Sequence, residues 1–112
     1  DMPWSAEEAR QKGVKAMIVR TASRKEPGTD AFRQQVLQKL NRGLGGLREM
    51  GWNDEDTWIE AFDEPHAGSS ERWLAHARIV EEKVPDLKMW TNPGWQKYQD
   101  PAIFRKLSIL PA

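Results

Sequence analysis

Short apolar runs alternate along this chain with longer helix-patterned segments, and that rhythm restricts the fold more than any other feature. Residues 14–20 (VKAMIVR) and 57–62 (TWIEAF) read as strands, being brief, apolar and rich in β-branched or aromatic residues. Residues 87–91 (LKMWT) read as a third strand, and the closing LSILPA as a fourth that ends with the chain. From Asp63 to Asn92, the ends of the second and third strands, is roughly 30 residues, about the length of one βαβ unit.

The intervening segments carry helix signals. Residues 5–13 (SAEEARQKG) open on Ser5 as N-cap, with Glu8 completing a capping box and Gly13 as the stop. After a turn-rich loop with Pro27 and Gly28, Asp30 is placed to cap a helix running to Gly51. Phe32, Val36, Leu37, Leu40, Leu44 and Leu47 repeat there at helical spacing. Gly43, Gly45 and Gly46 each weaken that helix by about 1 kcal/mol relative to Ala, so close packing or a break is expected. WNDED reads as a turn. Residues 70–84 form a third helix capped by Ser69 or Ser70, with Trp73, Leu74, Ala77, Ile79 and Val80 as its buried set and His76 as a surface or packing residue. A short helix from Pro101 precedes the last strand.

The order β-α-β-α-β-(α)-β predicts an α/β fold with a parallel sheet. An open doubly wound sheet and part of a (β/α)8 TIM barrel both fit. No G-x-G-x-x-G or Walker motif follows any strand, which leaves a nucleotide-binding open sheet without support. Polar residues do stand at successive strand ends: Arg20-Thr21, Asp63-Glu64 and Thr91-Asn92. Barrel enzymes and open sheets alike gather their chemistry there. A complete barrel takes about 250 residues. The expectation at this point is one α/β domain over residues 1–112 with about four parallel strands, either an open sheet or, if a barrel, a part of one cut from a longer protein. Such a piece leaves sheet edges to be paired by the remainder of the barrel or by self-association.

Composition removes several alternatives. The 17 basic and 17 acidic residues balance to zero, giving no electrostatic case for nucleic acid or an anionic membrane. No apolar run approaches a membrane span, and the polar start DMPWSAEEARQKG has no signal-peptide pattern. With no cysteine and only His66 and His76, thiol chemistry and a His-rich metal site are excluded, and no cofactor is implied. The six tryptophans, at 4, 52, 58, 73, 90 and 95, are the unusual count. Indoles pack cores, and they also give sugars a flat apolar face.

The adjacent acids in "FDEP" are the sharpest chemical feature. Side chains at a strand end alternate in direction, and Pro65 restricts Glu64 to extended backbone, so the two acids diverge. A neighbouring like charge and partial burial both raise a carboxyl pKa, which is what a general acid working near neutral pH needs. An isolated "DE" is ordinarily a loop cap and a solvated acid. Here an apolar strand precedes it, and a proline, a Gly-Ser loop and a helix follow.

With that context the segment GLREMGWNDEDTWIEAFDEPHAGSSERWLAHARIVEEKVPDLKMWTNP resembles the catalytic barrel of glycoside hydrolase family 123 and its uncharacterised relatives. The shared order is a helix ending in a GW turn, a strand ending in DEP, a helix, a P-D-L-K turn and a strand ending near TNP, across roughly residues 30–95. The resemblance implies retaining, substrate-assisted removal of terminal β-linked N-acetylgalactosamine, an exception to the two-carboxylate scheme. Asp63 would orient the acetamido group, whose oxygen attacks the anomeric carbon, and Glu64 would protonate the departing oxygen and then activate water. The carbohydrate is then the partner. The chain would cover about strands three to six of that barrel. Tyrosines that help hold the acetamido group in the family have only Tyr98 to match them here.

Around the acids, the candidates for sugar contact are His66, Trp90 or Trp95 by stacking, Asn92, and Arg20 at the first strand's end. Two other readings stay open. One is an ordinary retaining glycosidase with Glu64 as acid/base and a nucleophile about 5 Å away outside this chain. The other is a carbohydrate-binding barrel piece without catalysis.

Overall fold

The computed structural model describes residues 4–61 and 70–90 of the chain. The elements run α1 (Ala6–Gln11), β1 (Met17–Arg20), α2 (Asp30–Glu49), a 3-10 turn (Asp54–Asp56), β2 (Thr57–Glu60), α3 (Ser70–Lys83) and β3 (Lys88–Trp90). The protein is mixed α/β, and its sheet is parallel in the spatial order β1-β2-β3. The expected fourth strand and the helix from Pro101 lie outside the described residues.

Register divides each strand into two faces, because side chains alternate. Val19, Ile59 and Met89 stand side by side across the three strands. They belong to one buried cluster with Phe32, Val36, Leu40 and Leu44 of α2 and Trp73, Ala77, Ile79 and Val80 of α3. Both crossover helices therefore cover the same face of the sheet. The four α2 residues recur at i, i+4, i+8 and i+12, a single helical stripe, while Leu37 and Leu47 flank it half-buried. Each fully buried side chain of this kind contributes about 1.5–3 kcal/mol.

The opposite face carries Ile18 beside Trp58 and Lys88, then Arg20 beside Glu60. Lys88 Nζ sits 4.6 Å from the Trp58 ring centre. Ile18 is 42% exposed, the one large hydrophobic so open among the described residues.

A second, smaller cluster closes the other end of the sheet. Ala6, Ala9 and Trp52 are buried there, with Trp4, Val14, Met17, Leu47 and Met50 packed around them. Ser5 caps α1 as expected: its hydroxyl accepts from the Glu8 amide and donates to the Glu8 carboxylate. Gly13 and Gly51 adopt positive φ at the ends of α1 and α2, which suits glycine as a helix stop. Exposed ion pairs such as Arg48–Asp54 decorate this surface. The Arg48 hydrogen bond holds Asp54 below the usual carboxylate range, but a pair half open to water adds at most about 1 kcal/mol.

One local expectation needs correction, and an open one is decided. The α2 cap is Thr29, whose hydroxyl accepts from the Phe32 amide, and Asp30 is the first helical residue. Thr29 has the extended backbone a cap requires, and Asp30 still sets an acid in the first turn. Of close packing or a break at the glycines, close packing is found at Gly43, and α2 runs unbroken through all three. A Cβ on Gly43 would stand 2.5 Å from a Val19 methyl, so the bare backbone lets the helix lie directly on β1.

A Cβ on Gly45 would meet nothing within 4 Å, so two glycines of one helix should respond oppositely. Gly45→Ala should stabilise by up to about 1 kcal/mol, the helix-propensity difference. Gly43→Ala gains the same propensity but drives a methyl into a stiff β-branched neighbour, and overpacking typically costs about 1–3 kcal/mol. Its net effect should be destabilising, and Val19→Ala in the same chain should recover part of it. Urea denaturation of the three variants checks the signs. Equal stabilisation by both alanines would mean that α2 does not lie on Val19.

Candidate functional site

All three strands point the same way, so their C-terminal ends form one rim. Arg20 and Glu60 are Cα partners at that rim. Arg20 Nε lies 3.2 Å from Glu60 Oε1. The two groups differ sharply in setting: the Arg20 side chain is 77% exposed and the Glu60 side chain 3%. The buried carboxylate thus fixes one edge of the guanidinium and leaves the rest of it toward solvent. Arg20 also borders a groove of about 680 Å³ between β1 and α2, shared with Ile18, Arg42, Gly43 and Gly46. The groove follows the free edge of β1, whose described partner is β2 alone.

The ladder continues one residue past β1, where the Thr21 amide donates to the Glu60 carbonyl at 3.1 Å. Beyond it the β1–α2 loop is tied to both helices. The Ser23 amide donates to His76 Nε2 at 3.0 Å, and the Ser23 hydroxyl donates to the Gln35 side-chain oxygen. The Lys25 amide donates back to the Ser23 hydroxyl at 3.1 Å. Arg72 Nη1 reaches two loop carbonyls, Ser23 at 2.9 Å and Lys25 at 2.6 Å. Lys39 Nζ donates to the Ala22 carbonyl. A loop at the sheet's C-terminal rim is thereby held by side chains from two helices.

His76 is fully buried, with Phe32 edge-on against its ring at 4.7 Å between centres. Because Nε2 accepts from Ser23, the proton of the neutral ring sits on Nδ1, which faces the Arg72 carbonyl at 2.7 Å. Burial pushes the His76 pKa down, the hydrogen bond to the Arg72 carbonyl opposes that, and the charges of Arg72 and Lys39 add to the lowering.

Of the residues singled out in the sequence, Arg20 is the one whose side chain is described, and it stands at the rim. Asp63, Glu64, His66, Asn92 and Trp95 lie outside the described residues, as does the Trp90 side chain. β2 is described through Glu60 and the buried Ala61 that follows it, so Asp63 is the third residue after the strand. The backbone of Trp90 ends β3, two residues before Asn92.

Glu60, Ser23, Gln35 and Arg72 were not among the sequence candidates. For His76 the signal was available: Trp73, His76, Ala77 and Val80 fall at i, i+3, i+4 and i+7, which puts the histidine on the buried stripe. Glu60 carried the opposite signal, since strand alternation places it away from Ile59, and only its neighbours explain its burial. Among the described residues no group of three His, Cys, Asp or Glu could hold a metal ion. No described helix is long and apolar enough to cross a membrane. No protein-family model, curated protein or solved structure matches the chain.

Proposed function

We propose that this chain is the central part of a (β/α)8 barrel glycosidase that removes terminal β-linked N-acetylhexosamine, of the N-acetylgalactosamine type, with help from the substrate's acetamido group. The observation that carries the reading is the run of three parallel strands in unbroken sequential order with both crossover helices on one face. A barrel is built by repeating that step, whereas a doubly wound sheet reverses its strand order and uses both faces. The edge of β1 that no described strand pairs, with its groove beside α2, also suits a further strand of the same sheet. On this reading, Arg20, Asp63-Glu64 and Asn92 belong to consecutive strand ends, where barrel enzymes carry their catalytic groups.

The chemistry assigns one acid to each of two neighbouring sites on one sugar. Asp63 holds the acetamido N–H, so that the carbonyl oxygen attacks the anomeric carbon and an oxazolinium forms. Glu64 gives its proton to the departing glycosidic oxygen. It then takes a proton from the water that opens the ring, and the anomeric configuration is retained. Arg20, already oriented by Glu60, offers its exposed guanidinium edge to a sugar hydroxyl.

The test is hydrolysis of an N-acetyl-β-galactosaminide by the longest natural form of the protein, followed by NMR of the released sugar. Retention of the β-anomer, together with competitive inhibition by a thiazoline mimic of the oxazolinium, is the expected result. A trapped covalent glycosyl-enzyme would replace this reading with the ordinary two-carboxylate one. Binding of N-acetylgalactosamine without turnover would leave a non-catalytic carbohydrate-binding barrel.

A further inference from the structure

The outer edge of β1 offers backbone groups in a fixed pattern. The Thr21 amide points into the sheet, toward the Glu60 carbonyl, so by alternation the Ile18 and Arg20 peptide groups point to the other side. Each brings one N–H and one C=O to an edge that no described strand pairs. The Ile18 and Arg20 side chains are exposed as well, unlike the buried Val19 between them. We propose that this edge, with the groove between β1 and α2, takes up an extended segment of another polypeptide chain, apolar over Gly46 and acidic beside Arg42.

The groove is polarised along its length. Lys39, Arg42, Gly46 and Met50 follow one another three or four residues apart on α2, so they share a face, and all four line the groove. Met50 and Leu47 pack with Met17 in the smaller cluster, which makes that end apolar. At the other end Lys39 donates to the Ala22 carbonyl, just beyond Arg20, with Arg42 one turn further along the helix. The acid of the groove, Glu49, stands beside Met50 and away from these cations. Arg20 has Glu60 as its partner. A carbonyl does not neutralise Lys39, and Arg42 makes no ion pair among the described residues. A carboxylate is the group this end lacks.

Gly46 supplies the room. A Cβ there would meet nothing within 4 Å, although the residue lines the groove. In an added strand every second side chain turns toward α2. Two strand residues advance about 7 Å, and the four helix residues from Gly46 to Arg42 about 6 Å. An apolar side chain over Gly46 therefore sets the next one on the same face level with Arg42. Two nearer occupants lack that chemistry. A second copy would bring β1 itself, whose run VKAMIVR carries two cations and no acid. The chain's own LSILPA, outside the described residues, carries no charge at all. Charge complementarity thus selects a different chain, with main-chain hydrogen bonds giving affinity and alternate side chains giving specificity. The sugar reading asks only for some strand at this edge, and the docking inference does not rest on it.

The test uses the longest natural form of the protein. The probe is an end-blocked, dye-labelled heptapeptide alternating valine and glutamate, compared with its lysine-for-glutamate counterpart. Fluorescence anisotropy should show the glutamate peptide binding at least about tenfold tighter, with affinity falling as salt is raised. In its presence hydrogen exchange of the Ile18 and Arg20 amides should slow, while that of Thr21, already bonded to Glu60, should not change. Gly46→Leu should fill the groove and abolish binding, with circular dichroism showing the variant folded. Arg42→Glu, a surface change, should weaken the glutamate peptide about tenfold and strengthen the lysine one, and it carries the test if Gly46→Leu does not fold. Equal affinity for the two peptides, or unchanged binding by a folded Gly46→Leu, would overturn the proposal. Absence of binding would overturn it too. Ile18 and Arg20 amides already protected at low concentration would then mean a strand of the same protein on the edge, and protection that grows with concentration a second copy.

Discussion

Trp73→Ala should remove a large share of the stability of the domain. Trp73 is the largest fully buried side chain described, and it lies where α3 meets the sheet and α2. Truncating a buried indole costs about 3–5 kcal/mol, from lost transfer energy and from the cavity left behind. A domain of this size has about 5–15 kcal/mol in total. The site has little room to collapse, since its neighbours Phe32, Leu40 and Ile59 are themselves fully buried on well-formed elements. The expected result is a large drop in urea midpoint with weakened near-ultraviolet dichroism. Trp58→Ala is the control. That indole is half-buried under Lys88 on the face away from the helices, so about 1 kcal/mol should go with the cation–π contact and little more. If the two variants were equally stable, α3 would not be docked through Trp73, and the assignment of both helices to one face would fall.

That contrast also shows what a sequence of this kind makes legible. Spacing of Phe32, Val36, Leu40 and Leu44 identifies the buried stripe of α2, because helical period and burial are local properties. The strands come out shorter than their apolar runs: Val14 packs in the smaller cluster before β1 begins at Met17, and Leu87 precedes β3. Both residues are apolar because they are half-buried, not because they pair in the sheet. The helix cap moved by one residue, from Asp30 to Thr29, since both are good caps and backbone conformation decides between them. The three glycines looked like a weakness in α2 until Val19 supplied the reason for one of them.

The candidate site divides along the same line. The strand-end position of Arg20 was legible, but its partner was not, because register between β1 and β2 sets which residue faces it. Nothing local in SERWLAHARIV says that His76 receives the amide of a residue 53 positions earlier. The loop contacts of Arg72 and Lys39 are equally non-local, and exposed-looking cations on a helix are ordinarily solvated. Motif order led to the acids, and packing led to the side chains of α2 and α3 that hold the loop after Arg20.

Glu64→Gln and Asp63→Asn should fail in different ways, and the difference tests the proposed chemistry most directly. A positioned acid contributes about 10²–10⁴-fold when the leaving group needs a proton. Glu64→Gln should therefore lose about that much kcat/KM on an alkyl N-acetyl-β-galactosaminide. On a nitrophenyl glycoside the leaving group departs unprotonated, so the loss there should be smaller, reflecting the missing base in the water step. The acidic limb of the pH–rate profile should stay, and the basic limb, which reports loss of the acid's proton, should disappear. Asp63→Asn acts earlier. The acetamido oxygen attacks well only when its N–H is held by an anion, so both substrates should slow by similar factors. A thiazoline inhibitor, which mimics the oxazolinium, should lose affinity for Asp63→Asn more than for Glu64→Gln. Both measurements belong to the longest natural form of the protein, with circular dichroism showing each variant folded. Equal losses for the two variants on both substrates would remove the division of labour between the acids. Undiminished turnover by Glu64→Gln on the alkyl glycoside would remove Glu64 from the reaction altogether.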